Sequence, residues 1–106
     1  MSAERLDDCH VDLLVCGAEA LLSISGELDV ATFERLALPL QDAVDAGLNV
    51  TVDLANVPFI DVGCVRMMVA AEEALRRRGR SLRGMDASPF LRRVFFILGA
   101  GHLLRS

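Results

Sequence analysis

The sequence predicts an α/β domain in which a mixed β-sheet carries helices packed on it. Three features of the 106-residue chain point there. Two short apolar segments near the N-terminus are separated by a glycine turn. A β-branched run, Val50-Thr51-Val52-Asp53-Leu54, stands in the middle. Helix-period apolar stripes alternate with strand-like segments from there on. The length gives room for one hydrophobic core, not two.

Residues 1–10 read as a loose polar arm and 11–106 as the domain. Segment 11–16 is apolar apart from Asp12 and reads as a strand. Gly17-Ala18-Glu19 supplies a turn, and 20–26 places Leu22, Ile24 and Gly26 on one alternating set, so the two strands form a hairpin. Phe33, Leu36, Ala37, Leu40 and Val44 recur at helical spacing and make one apolar stripe. Gly47 stops this helix, with Leu48 packing back on its last turn. Pro39 removes one hydrogen bond inside it and predicts a kink. Residues 50–54 are apolar on both sides, as in a central strand covered on both faces, and Asn56-Val57-Pro58 ends the strand.

A second helix spans about 61–78. Asp61 is its N-cap, able to accept the amide hydrogen of Gly63 or Cys64. Its inward stripe is Cys64, Met67, Met68, Ala71 and Leu75, and Gly79 ends it. Residues 81–86 make a weaker strand, interrupted by Arg83 and Gly84. Ser88 as N-cap and Pro89 in the first turn open a third helix, whose stripe is Leu91, Val94, Phe95 and Leu98. Gly99-Ala100-Gly101 ends it, and 102–106 form either a short strand or a frayed end. The order is ββαβαβα.

Composition narrows the function classes. The formal net charge is −4, and all 11 basic residues are arginine, a poor electrostatic match for nucleic acid. The run Arg76-Arg77-Arg78-Gly79-Arg80 falls at a helix end, where cations complement the dipole. No apolar run approaches the roughly 18 residues needed to cross a bilayer. The acidic, polar N-terminus does not read as a signal peptide, so the expected address is the cytoplasm. Cys9, Cys16 and Cys64 are odd in number and lack CxxC spacing, which argues for reduced thiols over a disulfide framework or zinc site. His10 and His102 stand at opposite ends, no nucleophile adjoins a base in a known motif, and Gly26-Glu27-Leu28-Asp29 lacks the glycines of a phosphate loop. Neither catalysis nor a bound cofactor is expected.

Ile24-Ser25-Gly26-Glu27-Leu28-Asp29 resembles the GELD segment of STAS domains. Val52-Asp53-Leu54 with Val57-Pro58-Phe59-Ile60-Asp61 resembles their central strand and the loop into the second helix. Ala87-Ser88-Pro89 and Gly99-Ala100-Gly101 sit where the family has its third helix and following glycine. The resemblance covers about 11–104, and within the family the chain is similar to anti-sigma factor antagonists. It implies a single STAS-like domain that binds an anti-sigma factor of the GHKL kinase type and so regulates sigma-factor-dependent transcription by partner switching. In that family the loop reads Asp-Ser-Ser-Gly or a near variant, and the partner phosphorylates the first Ser. Here it reads Asp61-Val62-Gly63-Cys64, so the phosphorylated position is Val62, which has no hydroxyl.

The resemblance places Asp29 and Thr32, before the first helix, beside the second-helix loop. Together with Asp61, Val62, Gly63, Arg66 and Val69 they are the candidate partner-binding residues. Arg66 is available to pair with a carboxylate, and Val62 and Val69 face away from the core stripe. Asp29 and Thr32 also fit plain helix capping. Cys64, in the first helical turn, is a candidate redox thiol because a helix N-terminus lowers a thiol pKa; its inward position argues instead for a small hydrophobe. The resemblance leaves two alternatives: an accessory subunit of a transporter or stress-sensing assembly, and a nucleotide-sensing domain. Self-pairing into a homodimer is left open.

Overall fold

The computed structural model describes residues 9–104. Four strands are ordered β1-β2-β3-β4 across one sheet: β1 Cys9–Cys16, β2 Glu19–Gly26, β3 Asn49–Asn56 and β4 Leu82–Met85. β1 and β2 form an antiparallel hairpin, while β2–β3 and β3–β4 pair in parallel. The parallel pairs follow from the helical crossovers α1 Phe33–Asp45 and α2 Val62–Arg76. α3, Pro89–Ile97, and a 3-10 turn, Gly101–Leu104, complete the described chain.

Burial alternates along the strands. Leu22 and Ile24 of β2, Val50, Val52 and Leu54 of β3, and Leu82 of β4 are buried on one face. Leu21, Ser23, Thr51, Asp53 and Met85 on the other face are half-buried, and Leu14 and Arg83 are exposed. All helices therefore seal the same face. The expectation that residues 50–54 are covered on both sides is corrected: apolar composition marks a central strand, but among the described residues no helix covers its other face, where Thr51 and Asp53 are half-buried. The core joins those strand residues to Leu36 and Leu40 of α1, to Cys64, Val65, Met68 and Leu75 of α2, and to Leu91 and Phe95 of α3. Gly84 is the narrow point, since a Cβ there would lie 2.9 Å from Leu104 Cδ2 and 3.0 Å from Leu54 Cδ1.

Most elements sit where the sequence puts them, with these differences. β1 starts at Cys9, so Cys9 and His10, read as arm, pair with Gly26 and Ser25; the rest of the arm, 1–8, lies outside the described residues. Phe33, on the α1 stripe, is partly exposed and lies outside the core cluster. Leu98 is the C-cap of α3 and is exposed. The tail begins as a 3-10 turn with Leu103 and Leu104 buried. α1 is continuous across Pro39. Gly47 and Gly79 adopt positive φ just past their helices, as stop signals should.

The arginine run divides its work. Arg76 pairs with Glu72 one turn earlier, at 3.0 Å. Arg78 donates to the carbonyls of Val44 and Asp45, at 2.5 and 3.3 Å. It thus caps the C-terminus of α1, a neighbouring helix, by the same dipole logic.

Candidate functional site

Two loops meet at one end of the sheet, where β2 runs into α1 and β3 runs into α2. They are tied by backbone: Leu28 N–H donates to Phe59 C=O, and Asp61 N–H donates to Leu28 C=O, each at 2.9 Å. This pair makes an isolated parallel bridge between Leu28 and Ile60, whose side chains are both buried. The loop ends are therefore held like one more rung of sheet, and the residues just beyond them stand on a fixed base.

Each loop then caps the helical turn that follows it: α2 after Asp61, and after Asp29 the 3-10 turn Val30–Thr32 that leads into α1. The Asp61 carboxylate accepts from Cys64 N–H at 2.9 Å, which makes it the N-cap of α2. Asp29 and Thr32 form a reciprocal capping box: Thr32 N–H donates to Asp29 Oδ1 at 3.1 Å, and Asp29 N–H donates to Thr32 Oγ1 at 2.9 Å. The Thr32 hydroxyl donates to Glu27 C=O at 2.8 Å. Thr32 is buried, so its hydroxyl is committed to holding the loop, and its expected place on the binding surface is corrected. Asp29 is half-buried.

The surface above this base is apolar with an acidic border. Val30 is 85% exposed, Val62 43%, Phe59 40% and Phe33 37%. A hollow of about 360 Å³ lies among Val30, Ala31, Phe33, Glu34, Asp61 and Gly63. Val62 is the first residue of α2 and Gly63 the second, both exposed. A Cβ on Gly63 would meet only Asp61 Oδ1, at 3.6 Å, so backbone geometry does not demand glycine there. Arg66 is exposed one turn on, whereas Val69 is half-buried and packs on the core. Val69 was expected on the outward strip; α2 buries a wider arc than one stripe, Val65 included, and that arc takes Val69 in. The sequence reading missed Val30, Phe33 and Phe59. Phe33 shares the period of the α1 stripe and so reads as core, and Val30 and Phe59 lie in loops where periodicity says nothing.

Cys64 is fully buried. Its thiol is pushed up to about 12, first by burial, then by its hydrogen bond to the Asp61 carboxylate and by that carboxylate's charge. Burial and the capping acid together outweigh the helix N-terminus, so the thiolate that a redox role requires is disfavoured. Cys9 is also buried and raised, chiefly by burial. Among the described residues no group of three or more His, Cys, Asp or Glu side chains could hold a metal ion, and no helix is long and apolar enough to cross a membrane.

The family model described as "Mlab, STAS domain" matches residues 15–105. No curated protein matches the chain. Among solved structures, the chain is similar to an anti-sigma factor antagonist from Mycobacterium paratuberculosis, at 20% identity and a TM-score of 0.81, covering 92% of this chain and 84% of that one. It is similar to the anti-sigma factor antagonist SpoIIAA in its unphosphorylated form, at 19% identity and a TM-score of 0.79, covering 90% and 85%. It is also similar to the Bacillus cell fate determinant SpoIIAA in the phosphorylated form, at 20% identity and a TM-score of 0.72, covering 90% and 88%. At these identities the likeness to the solved structures is one of fold.

Proposed function

The chain belongs to the STAS domain family, and from that premise we propose that it is a docking module for a kinase-like anti-sigma factor of the GHKL type. The contact surface is the end of the sheet where Val30, Phe33, Phe59 and Val62 stand exposed around Asp61. That apolar cluster on a backbone-tied base is the observation that carries the reading. Large apolar side chains on a rigid base supply affinity at small ordering cost. Asp29 and Glu34 add acceptors around them, and Arg66 adds a donor.

The antagonists to which the chain is similar include one described in both phosphorylated and unphosphorylated forms. A phosphoryl group adds about −1.5 to −2 charge. Val62 stands at the family's phosphorylated position and has no hydroxyl to accept it. Binding through this surface is therefore constitutive, or is controlled elsewhere. The same substitution favours a second reading: an accessory subunit assembled permanently with a transporter ATPase needs no switch at this position.

Val62→Asp tests the surface. Acidic residues are favourable in the first turn of a helix, so the variant should fold. Capture from a lysate on immobilised wild-type chain, with Val62→Asp alongside, reads the outcome. A GHKL-type ATPase retained by the wild type and lost by the variant supports the proposal, with affinity down at least about tenfold. A transporter ATPase retained in that pattern moves the conclusion to the second reading. Equal retention on both proteins removes this surface from either role.

A further inference from the structure

α3 presents a second surface of a different kind. Leu91 and Phe95 fill its inner side, while Phe96 is 77% exposed, Ile97 71% and Phe90 52%. Arg92 and Arg93 share that outer side and are exposed. Among the described residues neither guanidinium has an ion pair or side-chain hydrogen bond. From 87 to 104 the chain has no Asp or Glu, so a protein of net charge −4 keeps a local +2 here, on large apolar side chains. The surface is also concave. Arg92, Arg93, Phe96 and Ile97 border an open groove of about 610 Å³ whose far wall is Gly101 and Leu104 of the 3-10 turn. Leu104 is itself anchored against the sheet at Gly84, so that wall is fixed.

We infer that this groove is a docking site for a short acidic segment of a partner protein that carries one or two large apolar side chains. The apolar side chains of the segment enter between Phe96, Ile97 and Leu104, and its carboxylates meet Arg92 and Arg93. Desolvation of the phenylalanine and isoleucine supplies affinity, and the paired arginines set the sign of charge that is accepted. Bidentate geometry suits guanidinium to carboxylate. Two other occupants fit less well. An anionic bilayer is held by clusters of about 4–8 basic residues, whereas this face has two on an acidic domain, and a flat lipid surface makes no use of a groove. A second copy docked face to face would set its arginines against their own equivalents, which repel. The inference does not depend on the role assigned to Val62, since the two surfaces share no residue.

Random dodecapeptides selected on the intact chain provide the test. The enriched peptides are measured by fluorescence anisotropy against the wild type, Arg92→Glu/Arg93→Glu, Phe96→Ser and Val62→Asp. The expected pool combines Leu, Ile or Phe with Asp or Glu. Its affinity falls about tenfold or more for the first two variants, is unchanged for Val62→Asp, and weakens as salt rises. All substituted side chains are exposed, and urea melts check that each variant is folded. A pool without acidic residues, peptides indifferent to the α3 variants, or no enriched pool overturns the inference. Arginine-dependent binding to phosphatidylglycerol vesicles without peptide binding reassigns the face to lipid. A concentration-dependent dimer lost in Phe96→Ser reassigns it to a second copy. Either result overturns it too.

Discussion

The end of the sheet around Val62 and the outer side of α3 both expose valine, isoleucine or phenylalanine, but they are framed by opposite charges. Glu34 and Asp61 border the first, and Arg92 and Arg93 border the second. They also differ in support. The first rests on two loops bound together through backbone hydrogen bonds and helix caps. The second is a helix surface whose rigidity comes from the side chains beneath it. Exposed apolar area of similar kind is thus made selective by its rim, and the two surfaces fit different partners.

The largest expected effect separates support from surface within α3. Phe95 is fully buried, and the adjacent Phe96 is mostly exposed. Phe95→Ala should cost about 3–5 kcal/mol of stability. Phe96→Ala should stay within about 0.5 kcal/mol, as is usual for surface positions. Urea denaturation of both variants measures the difference. If Phe96→Ala proves as costly as Phe95→Ala, the outer side of α3 is structural, and the contrast between the surfaces fails.

At the other surface the decisive contribution is the cap. Asp61→Ala removes the acceptor for Cys64 N–H and should cost about 1 kcal/mol. The loop bridge from Leu28 to Phe59 and Asp61 uses backbone atoms only and should survive. Amide exchange can check this: protection should persist at Leu28 and Asp61 and fall at Cys64. Loss of protection at all three would mean that the carboxylate, not the bridge, holds the loops together.

How much of this was legible in the sequence depends on which interaction fixed each part. The helices were legible because periodic apolar residues, Ser88-Pro89, Asp61 and the stops at Gly47 and Gly79 act locally. The cap at Asp61 and the capping-box residues Asp29 and Thr32 were readable for the same reason. That Thr32 is buried was not, because this depends on the loop folding back so that its hydroxyl reaches Glu27 C=O. The apolar surface residues Val30, Phe33 and Phe59 were illegible for a related reason: nothing local distinguishes a phenylalanine that enters the core from one at its margin. That α1 and α2 leave the back of β3 uncovered follows from topology. Helical crossovers of one hand place α1 and α2 on the same side, whatever the composition of residues 50–54. The arginine run showed its helix-end character but not its target, since Arg78 reaches Val44 and Asp45, more than 30 positions away.

The last contrast is one of pH and concerns Cys64, which lies directly beneath the Asp61 end and has no counterpart under α3. Its thiol is raised to about 12 in the fold, against an ordinary 9.0 in the unfolded chain. The native state therefore holds this proton more tightly than the unfolded state between those values. Stability is complete below pH 9 and declines as the pH rises from there toward 12, because the unfolded chain gains by ionising. Cys9, also raised, adds in the same direction. Urea melts at pH 8 and 10.5 should show this decline, and Cys64→Ala should flatten it while lowering stability at both pH values through the lost core contacts. Asp61→Ala should flatten it in part, since the carboxylate contributes to the shift but burial contributes more. An alkaline slope that is the same in the wild type and in Cys64→Ala would mean that the thiol is reached by water. The base beneath the Val62 surface would then be looser than its hydrogen bonds imply.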